Sequence, residues 1–364
     1  MIVQDVTNIL EELAPLAYSE DFDNVGLLTG SPNTNVTGVL ITLDTLENVV
    51  DEAISKKCNL ILSFHPIIFE GLKKITGANY VERVIIKAIQ NNIAIYSPHT
   101  ALDNSPEGVN AKICEALGLS NTSILIPQKG TIKKLTTYVP LEQAENLKES
   151  LYKAGAGSIG NYSECSFSVN GIGSYNANEK ANPVKGSIGK THFEEEAQLH
   201  LTYPKGKENA VLNTLFENHP YEEVAYEIQT LDNSNKNIGM GMVGSFPEPM
   251  LEKDFLKLLK NKMNASCIRH STLLGKKIQR VAVLGGSGSF AIKNAIAAKA
   301  DVFITADMKY HQFYEAENKI IIADIGHYET EQFTKNLLVE YLTKKMPNFA
   351  ISLSESKTNP IKYY

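Results

Sequence analysis

The sequence predicts an α/β fold, a parallel-rich sheet flanked by helices, interrupted by a smaller inserted α+β domain. Three observations carry the prediction. Short β-rich runs alternate with helical ones from Gly38 to Ile126, the same rhythm returns after Gly239, and the stretch between them follows a different order. A length of 364 residues exceeds an average single domain and agrees with two.

The chain begins with MIVQDVTNILEELAP, an amphipathic helical pattern carrying acidic residues, unlike the charged-then-apolar order of a secretion signal. GVLITL then reads as a strand, followed by a helix near Glu47 to Lys56, the strand NLILS, a helix from Tyr80 to Gln90, and the strand IAIYS. Alternation at these lengths is the pattern of parallel strands joined by crossover helices. Beyond Gly239, QRVAVLGG, DVFIT and KIIIADI are strands separated by helical stretches at 289 to 299 and 308 to 317, and a helix from 328 to 345 follows. Residues 1–128 and 237–364 are therefore expected to form one discontinuous domain. Between them, at 129–236, KKLTTYVP, a helix from Leu141 to Ala154, CSFSVNGIG, AQLHLTYP, a helix from Glu208 to Asn218 and VAYEIQTL give the order βαββαβ. That order is ferredoxin-like.

Composition narrows the function classes. The chain is 43% hydrophobic and 21% charged, enough for a large core and against long disorder. A formal net charge of −6, without a long Lys/Arg run, disfavours a nucleic-acid-coating surface and leaves small anionic substrates open. The four cysteines, Cys58, Cys114, Cys165 and Cys267, are too widely spaced for a zinc ribbon or a disulfide framework. With no apolar run near the ~18 residues of a membrane span, the expectation is no membrane partner and a reducing cytoplasmic address.

Chemistry concentrates where strands end. His65 in LILSFHPIIFEG lies just past a buried strand that Pro66 prevents from continuing, and Asp103 in IAIYSPHTALDN follows the next strand. Ligand residues in open parallel sheets collect outside the carboxyl ends of strands, so these two are expected to share a crevice. Each alone has an ordinary reading, a hydrogen-bonded structural histidine and a turn-forming aspartate. His327 and Glu331, four apart at the start of a helix, share its face with Leu338, Tyr341, Leu337 and Leu342, so both point inward. An unpaired buried carboxylate is unfavourable and calls for a cation. Lys335, one turn beyond Glu331, is the ordinary partner. Imidazole and carboxylate together are the ligand set of Zn, Fe or Mn in hydrolytic sites, and bridging carboxylates permit two divalent metal ions. Near this crevice, Gly286, Ser287, Gly288 and Ser289 in VAVLGGSGSFA form either a phosphate cradle or a tight strand-to-helix turn. His311, one helical turn from Asp307 in ITADMKYHQF, is the candidate proton shuttle, with a helix-capping Asp and a surface His as the ordinary reading, and Lys309 is a candidate anion contact.

Several segments, taken together, resemble the GTP cyclohydrolase I type 2-like family, also known as the NGG-interacting-factor-like dinuclear metal proteins. They are FDNVGLLTG at 22–30, SFHPIIF at 63–69, PHTALD at 98–103, GGSGS at 285–289, TADMKYH at 305–311 and IGHYETE at 325–331. GNYSECSFSVNGIGSY and HPYEEVAYEI in the insertion resemble its larger bacterial members. The resemblance implies that His65, Asp103, His327 and Glu331 are the metal ligands, that the chain assembles as a homo-oligomeric hexamer, and that the insertion is PII-like or copper-tolerance-like. It also implies a GTP-directed ring-opening hydrolysis. One departure stands out: many members carry two adjacent histidines where this sequence has Phe64 and His65, so one ion is expected to lack a ligand.

Overall fold

The apolar runs that read as strands are buried on both sides, as parallel strands covered by crossover helices must be. A computed structural model describes all 364 residues. It divides into two units, Met1–Gln128 with Lys236–Tyr364, and Lys129–Asn235.

In the first unit, one sheet orders its strands Gly26–Thr29, Ala94–Ser97, Leu60–Ser63, Val39–Thr42 and Ile351–Leu353. The last four are mutually parallel and the first is antiparallel to its neighbour. Side chains alternate across this sheet. Leu40, Ile61 and Ile95 face the helices Glu47–Ser55 and Tyr80–Gln90, meeting Val50, Ala53, Val84 and Ala88. Ile41, Leu62 and Tyr96 face the other way, into a core shared with Val281, Val283, Ile304 and Ala323 of a second sheet.

That second sheet runs Arg269–His270, Ile321–Asp324, Val302–Ala306, Lys277–Ser287, Asn235–Leu251 and Ser120–Gln128. Its three inner strands from 277 to 324 are parallel, and the flanking pairs at 269–270 and 235–251 are antiparallel. The expected single sheet is thus corrected to two parallel-rich sheets packed through one core. Asn235–Leu251 was not foreseen as a strand. Its three glycines and two prolines are poor strand formers, but Gly239, at φ +150°, is where a Cβ would lie 2.0 Å from the Ile126 carbonyl.

The helix expected over 328–345 is broken into His327–Glu331 and Thr334–Lys345. The Thr330 hydroxyl donates to the His327 carbonyl at 2.7 Å and competes for the acceptor that a continuous helix would use. The stretch from 308 to 317 is a 3₁₀ helix, Tyr310–Ala316, and not an α-helix.

In the second unit, the antiparallel strands Ser166–Asn176, Thr191–Pro204, Ile132–Pro140 and Tyr226–Leu231 lie in that order. The helices Ala144–Lys153 and Glu208–Asn218 place Leu147, Leu151, Val211 and Leu215 against Leu135, Val139, Leu199 and Leu201. No helix of the chain is long and apolar enough to cross a membrane.

Candidate metal centre

In the first unit, the carboxyl ends of strands from both sheets converge on one cluster. Asp44 follows Val39–Thr42, His65 follows Leu60–Ser63, and His99 follows Ala94–Ser97. Asp307 follows Val302–Ala306, and His327 follows Ile321–Asp324. Parallel pairing with matched registers brings these ends level, and the shared core sets the two sheets face to face.

Each imidazole is aimed by a carboxylate behind it. His65 Nδ1 lies 2.8 Å from Asp44 Oδ1, and His327 Nδ1 lies 2.7 Å from Asp307 Oδ2. The opposite ring nitrogens then point at one another: the two Nε2 atoms are 3.4 Å apart, with Glu331 Oε2 at 3.0 Å from His65 and 3.1 Å from His327. Oε2 is buried, and neither contact has hydrogen-bond geometry, so the oxygen has no hydrogen-bond partner. Asp103 Oδ1 is likewise buried without a partner. A carboxylate–imidazole–metal relay fixes the ring tautomer in this way. Nitrogen, nitrogen and oxygen atoms converging within 4.8 Å are a donor set that fits a divalent cation.

Protonation tells the same story. Burial would push His65 down, but hydrogen bonding to Asp44 and the contact with Glu331 raise it to about 9. Burial also opposes charging of His327, and Asp307 and Glu331 outweigh it, raising it to about 11. Glu331, which burial alone would raise, is held at about 2 by the His327 and His65 rings. Burial and then the charge of Glu331 push the Asp103 carboxyl well above its usual range.

A cavity of about 230 Å³ opens beside this cluster, lined by Asp103, His327 and Glu331 together with Phe22, His99 and Phe290. His65, His327 and Glu331 converge; Asp103 is outside that group and lines the same cavity as His327 and Glu331. Gly286 and Ser287 also line it, but the Gly286 N–H already donates to Thr330 Oγ1 at 2.9 Å, which leaves it no donor for an anion. Instead Gly286, at φ +68°, makes room: a Cβ there would lie 2.5 Å from Glu331 Oε1. Gly288 lets the chain close on Thr305, and Ser289 Oγ accepts from Gln312 Nε2 at 2.9 Å. Gly285 and Gly286 thus pack against the Glu331 side chain, and Gly288 against Thr305 and Leu284.

His311 and Lys309 are exposed and do not line the cavity. Asp307 takes a left-handed backbone conformation, φ +57°, and the 3₁₀ turn that follows sets His311 against Tyr310. Asp307 therefore serves His327 and not His311. His99 escaped the sequence reading although it lies in PHTALD. Its Nδ1 is held by both oxygens of Asp23 at 2.8 and 2.9 Å, which leaves Nε2 free. His99 and Asp307 both have positive φ, 23° and 57°, so the site carries backbone strain at two non-glycine residues. The signal that could have found His99 was the one that found His65, a histidine just beyond a buried parallel strand. Lys335, the ordinary partner weighed for Glu331, makes no ion pair with it, because two imidazoles occupy that side. Phe64 is fully buried, with its ring centroid 5.0 Å from that of His65 and 5.5 Å from that of His99.

A Bacillus subtilis protein named GTP cyclohydrolase 1 type 2 homolog is 37% identical to the chain, covering 99% of it and 98% of the relative. A protein of the same name from Halalkalibacterium halodurans is 35% identical with similar coverage. Among solved structures, a Bacillus cereus protein related to NIF3 matches with a TM-score of 0.84 at 35% identity, over 100% of this chain and 99% of that one. The Duf34/NIF3 (NGG1p interacting factor 3) family model matches residues 1–360, and the chain belongs to that family.

Proposed function

We propose that this protein binds divalent metal and hydrolyses an anionic small molecule of the nucleotide class. The observation that carries the proposal is the convergence of His65 Nε2, His327 Nε2 and Glu331 Oε2, each imidazole backed by its own carboxylate. In this reading Asp103 Oδ1 supplies a fourth ligand, and the site takes two ions of Zn, Fe or Mn, for which bridging carboxylates are suited. A bound ion of this kind supplies Lewis-acid activation of water or of a carbonyl or phosphoryl oxygen. The chain's own residues do the rest. Asp44 and Asp307 keep the His65 and His327 rings turned inward. His99, positioned by Asp23 with Nε2 free, takes the proton-transfer role that sequence spacing had suggested for His311. Phe22 and Phe290, 66% and 58% exposed at the cavity, offer ring faces on which a base stacks. The relatives' name, GTP cyclohydrolase 1 type 2 homolog, agrees with a nucleotide substrate.

The same reading takes the second unit as an inserted ferredoxin-like domain, on its βαββαβ order and its sheet order, and takes the working form as a cytoplasmic homohexamer. One observation favours a non-catalytic metal-handling role: where the family resemblance implies a second histidine, Phe64 is a fully buried ring that cannot coordinate. Turnover of a nucleotide panel by protein stripped and reloaded with each metal decides between the two. Metal-dependent product formation, lost in His327→Ala/Glu331→Ala, supports hydrolysis. Full metal loading with no turnover of any nucleotide supports metal handling and overturns the hydrolase.

A further inference from the structure

The second unit contains a cavity of about 420 Å³ that the metal chemistry does not use. Tyr138, Tyr175 and Tyr221 wall it, with Pro183 and Val184 at the rim and Glu196 inside. Glu196 is only 9% exposed. Its Oε1 accepts one hydrogen bond, from the Tyr221 hydroxyl at 2.8 Å, and its Oε2 has no hydrogen-bond or ion-pair partner in the protein. The backbone makes room for that oxygen, since a Cβ on Gly173 would lie 2.1 Å from it. This carboxylate is supported by a single neutral phenol, and its second oxygen is left for a partner that enters the cavity.

The cations nearby are otherwise engaged. Lys185 and His192 both pair with Glu194, at 2.5 and 3.1 Å. His219 holds the wall by both ring nitrogens, Nε2–H donating to the Tyr138 carbonyl at 2.9 Å and Nδ1 accepting from the Tyr221 N–H at 3.1 Å. Both nitrogens so used, the ring is neutral. The charged residues that do line the cavity are Glu196, Glu222 and Glu223, with no Lys, Arg or His among them. The tyrosines are fixed: the Tyr175 hydroxyl donates to the Lys185 carbonyl at 2.6 Å, and the Tyr175 and Tyr221 rings meet edge to face with centroids 6.2 Å apart. The loop carrying Pro183 and Val184 is tied over the cavity by the Asn182 N–H donating to Glu222 Oε1 at 2.7 Å.

We propose that this cavity binds an organic ammonium cation, its charge against Glu196 and its alkyl groups against the three tyrosines. Aromatic walls beside a carboxylate recognise alkylated ammonium through cation–π attraction and apolar contact together. A bare metal ion would want several hard oxygen ligands converging on one point, and the carboxylates of Glu196, Glu222 and Glu223 do not gather in that way. The site goes beyond the hydrolase reading and stands independently of it.

Isothermal titration of the full-length protein with choline, with spermidine, and with the uncharged isostere of choline in which carbon replaces the quaternary nitrogen tests the proposal. At least one of the two cations binds, at least about tenfold tighter than the neutral isostere, and Glu196→Gln, which keeps the acceptor for Tyr221, weakens it by about tenfold or more. Tyr175→Leu weakens it as well, with metal content unchanged. Equal binding of the isostere, undiminished binding by Glu196→Gln, or no heat from either cation up to about 10 mM overturns the proposal. If Glu196→Gln fails to fold, Glu223→Gln at the cavity lining is read in its place, and unaltered cation binding by that variant counts against the site.

Discussion

Two histidines whose Nε2 atoms stand 3.4 Å apart, with a buried carboxylate oxygen between them, are an unfavourable arrangement unless protons or a cation fill the space. Replacing both His327 and Glu331 by Ala is expected to abolish metal binding while the fold survives, as metal analysis of the purified variant together with circular dichroism will show. The two proposed ion positions are expected to fill unequally at limiting metal because Phe64 coordinates nothing, and Phe64→His is expected to narrow the difference in a metal titration. Equal full occupancy in the unmodified chain counts against this. Gly286→Ala forces a Cβ to within 2.5 Å of Glu331 Oε1 at a positive φ, so it is expected to lower stability by ~1–3 kcal/mol and to weaken metal binding, both read by thermal unfolding with and without metal. At this scale the group His65, His327 and Glu331 was legible, because His65 follows a recognisable strand and the other two share an apolar helical face, while Asp103, read with them, lines the neighbouring cavity. His99 was not singled out, and the roles of Asp44 and Asp307 could not be read, since pairs such as His65–Asp44 exist only once parallel strands are in register. His311, read at α-helical spacing from Asp307, lies on a 3₁₀ turn and is exposed, as the plain surface-histidine reading has it.

Among the elements, the helix Glu47–Ser55 does more than cover its sheet. Glu52 gathers the segment after the last strand, accepting from the Ser354 hydroxyl at 2.7 Å and from the Glu355 and Ser356 N–H groups at 2.9 and 3.1 Å. Burial would raise its carboxyl, but Lys56 and these donors lower it to about 2. A group with a depressed folded-state value contributes stability above its unfolded value, near 4.5, and loses it as pH falls toward 2. Glu52→Gln is therefore expected to destabilise the protein near neutral pH by at most about 3 kcal/mol, and the difference from the unmodified chain should fade in urea unfolding as pH drops below about 4.5. A difference that stays constant to acid pH would show that the shift is not the cause. The strands and crossover helices were readable from apolar alternation. Asn235–Leu251 was not, because its place in the sheet is decided by close contact between Gly239 and Ile126 and not by propensity.

For the whole molecule, all four proposed metal ligands lie in the unit formed by Met1–Gln128 and Lys236–Tyr364. The strands Ser120–Gln128 and Asn235–Leu251 are sheet neighbours, so a short Gly/Ser linker is expected to rejoin them when 129–235 is removed. The shortened protein should remain folded and bind metal with unchanged stoichiometry. A soluble product without metal would make the second unit part of the site. The division of the chain was legible as a change in element order, whereas the presence of two sheets was not, since which strands share a sheet is set by long-range pairing. The central claim is most directly tested by anomalous diffraction from crystals of the purified protein at the Zn, Fe and Mn edges. The account predicts a peak at about 2.0–2.2 Å from His65 Nε2, His327 Nε2 and a Glu331 oxygen. Full-occupancy density for these side chains with no anomalous peak between them, in crystals grown with added metal, would contradict it.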